Sequence, residues 1–245
     1  MTSWLAHYAR ALLLVGLVAA PCSALADDLA DFNAAVERAA AHNRVALGYL
    51  RTQGTELASV ELERMKDAWG ELTSRFGANP PAVLKDNRLY TETLVDVPTR
   101  IVTAMIMLDM GRDDIARNSL QAIRLSLSNL RREAGIEILA DCVLDYSAVM
   151  AVFVAYDDTP PDWNRPEMAS EFSSRADAVA KTAARCDQLA GEDIRTRPKF
   201  RRLIDGTMTS LSFVPKVIAE RDNDLLHRLI GELKAFDNLL SFRFG

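Results

Sequence analysis

The sequence predicts an all-α protein of eight long helices paired as four αα-hairpin repeats. Three observations carry that expectation. Helix-favouring Ala, Leu, Glu and Arg dominate, whereas Gly (11) and Pro (9) are sparse for 245 residues. Apolar residues recur at alternating three- and four-residue spacing, the pattern of a single helix face. Four glycines, Gly77, Gly135, Gly191 and Gly245, close such stretches at separations of 58, 56 and 54 residues.

The first 26 residues stand apart. "MTSWLAHYAR" carries Arg10 and no acid, "ALLLVGLVAA" is an apolar run, and "PCSALA" places small residues at Ala24 and Ala26. That order is expected of an export leader cleaved after Ala26. A lipoprotein site at Cys22 is the rival, but Pro21 directly before it fits a lipobox poorly. The apolar run is too short to span a bilayer, and no later stretch reaches 18 apolar residues. The remaining chain is therefore expected not to be membrane-spanning.

The first unit opens with a helix whose stripe is Phe32, Val36, Ala39, Asn43, Ala46 and Leu50. Its second helix, 54–77, carries the seam Leu62, Met65, Trp69, Leu72 and Phe76. After the proline-bearing loop "GANPPAVLKDN", the second unit runs from "LVDVPTRIVTAMIMLDMG" into 112–135, with Leu120, Ile123, Leu127, Leu130 and Ala134. The third runs from "CVLDYSAVMAVFVAYDD" through the loop "DTPPDWNRP" to a weaker copy, Ala176, Val179, Ala183, Cys186 and Ala190. The fourth begins in "FRRLIDGTMTSLSFVPKVIAERD", where Pro215 is expected to kink a helix. It ends in 222–245 with Ile230, Leu233, Asp237, Leu240 and Phe244.

The segments 54–77, 112–135 and 222–245 align without a gap, each with an early acid: Glu56, Asp114 and Asp224. An acid there complements the positive helix N-terminus. A terminal glycine is expected to cap by taking the left-handed conformation. Asp96, Asp145 and Asp205 each follow an aliphatic pair and read as caps or early helix acids. Two arrangements bury the same stripes: two four-helix bundles, 27–135 and 136–245, or one continuous stack of hairpins.

Cys142 and Cys186 remain after leader removal, one near the start and one near the end of the third hairpin. Antiparallel helices bring those ends together, so a disulfide is expected, contributing about 3–4 kcal/mol. No CxxC redox pair occurs.

Chemistry is harder to find. The net charge of −5 argues against nucleic-acid binding. G-x-S-x-G, H-E-x-x-H and P-loop patterns are absent, as is CxxCH. Asp224-x-x-His227 is a single metal-like motif where a dimetal bundle needs two. A histidine, His42 or His227, with Met105, Met107, Met110 or Met150 leaves a non-covalent haem as the runner-up, although methionine at helical spacing is commonly core filler. Asp237 falls on a seam, but Leu229, Leu233, Phe236 and Leu240 form an alternative stripe that leaves it at the edge. Asn43 on an apolar stripe reads as a polar contact that sets register.

Binding surfaces are the better candidates. Arg195, Arg197, Lys199, Arg201 and Arg202 cluster at the start of the seventh helix, suited to an anionic ligand or an acidic envelope protein. The competing reading is a solvated flank paired with Glu192 and Asp193. Trp163 is expected to tuck onto a helix end, with an interface role as the alternative. Ser210 to Pro215 is where a kink would open a pocket. Together these point to an exported, periplasmic, non-enzymatic binding or interaction protein without a cofactor. The runner-up is a haem- or metal-carrying bundle.

Overall fold

The computed structural model describes residues 21–245, with side chains from Asp28 onward. The leader expected over 1–26 falls outside the described residues, save for the backbone of its last few positions. The architecture is all-α: α1 (Pro21–Arg51), α2 (Thr55–Phe76), α3 (Arg88–Asp109), α4 (Asp113–Glu133), α5 (Leu139–Asp158), α6 (Pro166–Leu189), α7 (Glu192–Arg195), α8 (Pro198–Leu211), α9 (Val214–Glu220) and α10 (Asn223–Phe244). A single 3-10 turn, Ala82–Leu84, lies between α2 and α3.

The apolar stripes decide how these helices group. In the first set α1 packs on α2, α2 on α3, α3 on α4 and α4 back on α1. In the second, α5 packs on α6, α6 on α8, α8 on α10 and α10 back on α5. Each ring closes on its own apolar interior, one built from Phe32 to Leu130 and the other from Leu139 to Leu240. Neighbours run antiparallel. The Trp69 indole N–H reaches the Leu94 carbonyl at 3.4 Å, Tyr90 Oη donates to the Phe76 carbonyl at 2.8 Å, and Asn43 Nδ2 donates to the Leu120 carbonyl at 3.1 Å.

The seams are buried nearly as spaced. Leu62, Met65, Trp69, Leu72 and Phe76 all face the first interior, and Ala176, Val179, Ala183, Cys186 and Ala190 the second. Each large apolar side chain so enclosed stabilises the fold by about 1.5–3 kcal/mol. Aromatic rings add shape: Phe32 meets Phe76 edge-on at 5.4 Å, and Phe172 stacks on Phe153 at 5.0 Å. Helix α5 is long and apolar enough to cross a membrane, with hydropathy 1.6. Here it sends Cys142, Val143, Tyr146, Met150 and Phe153 into the second interior and rests on both α6 and α10.

Several local expectations need correction. Of the spaced glycines only Gly135 is left-handed, at φ +70°. There the Ile136 N–H bonds back to the Arg131 carbonyl, closing α4. Gly77 continues right-handed and Gly191 is extended at the start of α7, whereas Gly111, outside the spacing, caps α3 at φ +68°. Pro215 does more than kink its helix. It sits in the first turn of α9, after a break at Ser212 and Phe213, and Leu211 and Val214 pack inward across the break. Asp96, Asp145 and Asp205 cap nothing; they lie farther along their helices and pair with Arg100, Arg132 and Arg185, and Arg201. The caps are Asn87 and Asp222, which accept from the Leu89 and Leu225 N–H groups.

Cys142 and Cys186 are joined, with Cα atoms 5.4 Å apart, tying the start of α5 to the end of α6. Replacing both with alanine is expected to cost about 3–4 kcal/mol in urea unfolding. Under denaturing, non-reducing conditions the native protein should take up no alkyl group at either position.

Candidate functional site: the seam between the bundles

The two rings meet along α1 and α10, and at the turn from α4 into α5. Gly48 makes the first contact close: a Cβ there would stand 2.7 Å from the Phe242 ring. Beside that contact and a small aliphatic patch the seam is polar, because most of each apolar stripe is spent inside its own ring.

Its basic side comes from two ladders at seven-residue spacing. Arg44 and Arg51 lie on α1, and Arg117, Arg124 and Arg131 on α4. Seven residues is two helical turns, so each ladder runs along one flank beside the apolar seam. Nothing in the density of charge along the chain groups these residues, although their spacing is that of the apolar seam.

Most of the ladder is occupied. Arg44, 8% exposed, donates to the Gly245 carbonyl at 2.9 Å and pairs with Glu37. Arg51 reaches the Asn238 carbonyl at 3.4 Å. The Gly245 carbonyl lies at the end of α10, where carbonyls lack helical partners and the dipole is negative; the Asn238 carbonyl lies about two turns before it. Arg117 donates to the Leu50 carbonyl at 3.0 Å, serving the end of α1 in the same way. Arg131 grips Asp141 with two bonds, Nε to Oδ2 at 2.8 Å and Nη2 to Oδ1 at 2.5 Å. At 6% and 2% exposure this pair is sealed from water, so either charge left alone would be costly.

Arg124 differs. Its Nη2 is buried and has no hydrogen-bond partner, and it packs so closely on Gly245 that any Cβ there would collide with it. Burial, with repulsion from Arg44 and Arg51, pulls this guanidinium down to about 10, and only Asp237 pushes the other way. Asp237 is itself raised, chiefly by burial. The Ser147 hydroxyl at 2.7 Å, the charges of Arg51 and Arg124, and Ser241 offset part of that rise. The expectation that Asp237 stands at a helix edge matches its partial exposure, yet the edge faces this seam.

A cavity of about 40 Å³ opens beside Arg124, walled by Val36, Ala40, Leu127, Ile138 and Leu144. Glu37, Arg131 and Asp141 also border it, already engaged as described.

The sequence candidates lie elsewhere. Arg197 pairs with Asp193 at 2.9 Å, and Arg201 with Asp187 at 2.5 Å and with Asp205. Arg195, Lys199 and Arg202 are exposed without an ion pair among the described residues. Trp163 is tucked: its indole N–H donates to Asn223 Oδ1 at 3.0 Å and its ring meets Phe172 edge-on at 5.7 Å. Ser210 bonds Glu232 at 2.8 Å across to α10.

His42 sits 2.6 Å from Glu61, and His227 2.6 Å from Asp157, not Asp224. Met105 and Met107 pack against the first interior, Met150 lies in the second, and Met110 is exposed. Asn43 does pin α1 against α4, as expected of a register contact. Among the described residues no group of three or more His, Cys, Asp or Glu side chains could hold a metal.

Arg131→Met or Asp141→Leu alone is expected to destabilise by about 3–5 kcal/mol, and the two together by much less; urea midpoints for the two single variants and the double variant measure the coupling. Asp237 holds its proton more tightly when folded than unfolded. Its stabilising contribution is therefore full below its ordinary pKa and lost as pH rises through the raised one. Asp237→Asn cannot titrate, so its stability relative to the native protein should improve between pH 3.5 and pH 7 (about; set by the carboxylate range), read from unfolding midpoints at both pH values.

Compared with family models, with curated proteins and with solved structures, the chain gives no significant match in any of the three.

Proposed function

We propose that this chain is a non-enzymatic binding protein of the cell envelope, exported to the periplasm, whose ligand lodges between the two bundles. The observation that carries this reading is the seam cavity: a walled space at the junction of two separately packed units, bordered by Arg124, which like Arg117 and Arg185 has a buried guanidinium nitrogen that nothing in the protein satisfies. Ligand sites favour such junctions, where packing is least continuous, and unpaired buried donors are rare enough to ask for an explanation.

Two further features support it. The disulfide suits an oxidising compartment, in keeping with the leader-like N-terminal sequence. The side chains that could do acid–base work, His42, Glu61, His227 and Asp157, are bound to one another on the bundle flanks, away from the cavity. A site with an anchoring charge and apolar walls, but no free base or nucleophile, holds a ligand without transforming it.

A cavity-filling change tests the reading. Ala40 is half-exposed and lines the space, so Ala40→Phe should occupy it while leaving both interiors intact. A thermal-shift panel of amino acids, sugars, short organic acids and lipid headgroup analogues is expected to contain at least one compound that raises the melting temperature of the native protein and not of Ala40→Phe. A panel with no such compound overturns the reading. A Soret band in the purified protein would replace it with the haem-carrier alternative.

A further inference from the structure

We propose that the seam cavity is a site for a short-chain monocarboxylate, bound through its carboxylate to Arg124 with its alkyl chain against Val36, Ala40, Leu127, Ile138 and Leu144. The proposal rests on the reading of the seam as a ligand site and names the ligand's chemistry.

The charge pattern selects an anion. Within the ladder Arg44, Arg51, Arg117 and Arg131 each have an oxygen to hold. Arg124, which lines the cavity, holds none among the described residues. The charges of Arg44 and Arg51 act on Arg124 with the same sign, and the one opposing group, Asp237, is shifted toward its neutral form. A guanidinium in that position gains most from a planar oxyanion, which it can meet with two parallel bonds.

The walls select among anions. Glu37 and Asp141 border the same space and are already neutralised by Arg44 and Arg131. A dianion such as sulfate or phosphate would meet their residual repulsion twice over, with one free guanidinium to set against it. A monoanion meets less repulsion. The remaining walls are mostly aliphatic, with Asn33 and Gly245 as the other polar neighbours, which rewards an alkyl tail. Size sets the upper limit. A water needs roughly 10–15 Å³ of such space, so about 40 Å³ takes a few waters or one molecule of acetate or propionate size.

A structural role is the competing account: Arg124 would serve only to face the negative end of α10, as Arg44 does. The two accounts differ in what added ligand does. Calorimetric titration and melting curves with acetate, propionate, chloride and sulfate at matched ionic strength separate them. Propionate is expected to bind about fourfold more tightly than acetate, the gain from burying one more methylene. Chloride and sulfate should leave the melting temperature unchanged. Arg124→Met should weaken propionate by about tenfold or more, and Arg124→Lys by less, since the lysine keeps charge but not the planar fork.

Equal shifts with all four salts, no binding of either carboxylate, or unchanged propionate affinity in Arg124→Met would each overturn the proposal. If Arg124→Met does not fold, the propionate-to-acetate ratio in the native protein decides, and a ratio near one overturns it. A panel compound of another class that binds the native protein but not Ala40→Phe would sink the carboxylate assignment while leaving the ligand-site reading in place. Silence from the whole panel would remove both.

Discussion

A narrow apolar stripe is the constraint from which the rest follows. A helix with apolar residues at three- and four-residue spacing can dry one face only, and that face needs neighbours on both sides. Four such helices close a ring. A fifth would find no apolar surface left to cover. Eight therefore make two interiors, and whatever joins them must use the flanks that the stripes left behind. Those flanks carry arginines on α1 and α4 and acids on α5 and α10. The polarity of the seam is thus a consequence of how completely the interiors are filled.

The seam has a chemical logic of its own. Helix α10 ends against the first bundle, and a helix end carries carbonyls without partners together with a partial negative charge. Arginine suits that surface because its guanidinium reaches several acceptors while its stem covers apolar atoms. Arg44 works in this way, Arg51 reaches the Asn238 carbonyl farther back along α10, and the enclosed Arg131–Asp141 pair ties the end of α4 to the start of α5. Curved bundle surfaces do not mesh at every point along such a contact. Where they part, beside Arg124, the space is walled partly by the rim of the first interior, Val36 and Leu127, and partly by Ile138 and Leu144 from the second half.

Much of the fold was legible because burial follows period. Leu62 to Phe76 and Ala176 to Ala190 could be placed from spacing alone, and Cys142 and Cys186 from the antiparallel pairing that spacing implies. The glycines were read too uniformly. Conformation at Gly77, Gly111, Gly135 and Gly191 depends on where the chain must turn next, which their regular separation does not encode. Asp96, Asp145 and Asp205 looked like caps because they follow aliphatic pairs, yet their arginine partners sit on the same helix or a neighbouring one. For the site, Arg195–Arg202 stand out in the sequence because those charges are dense along the chain. Arg44, Arg51, Arg117, Arg124 and Arg131 are dilute in sequence and concentrated in space, and they become a group only once α1 and α4 are side by side. A search for charged residues at the period of the apolar seam would have exposed them.

The covalent tie has a consequence for how the chain is made. Residues 28–133 contain no cysteine, whereas α5 and α6 carry both partners of the bond. A polypeptide emerging amino end first can assemble its leading ring of helices without any oxidant. The trailing ring gains its clasp only after Cys186 has appeared and met Cys142. The arginine flank of the finished half is then a waiting template against which the later half aligns its last helix.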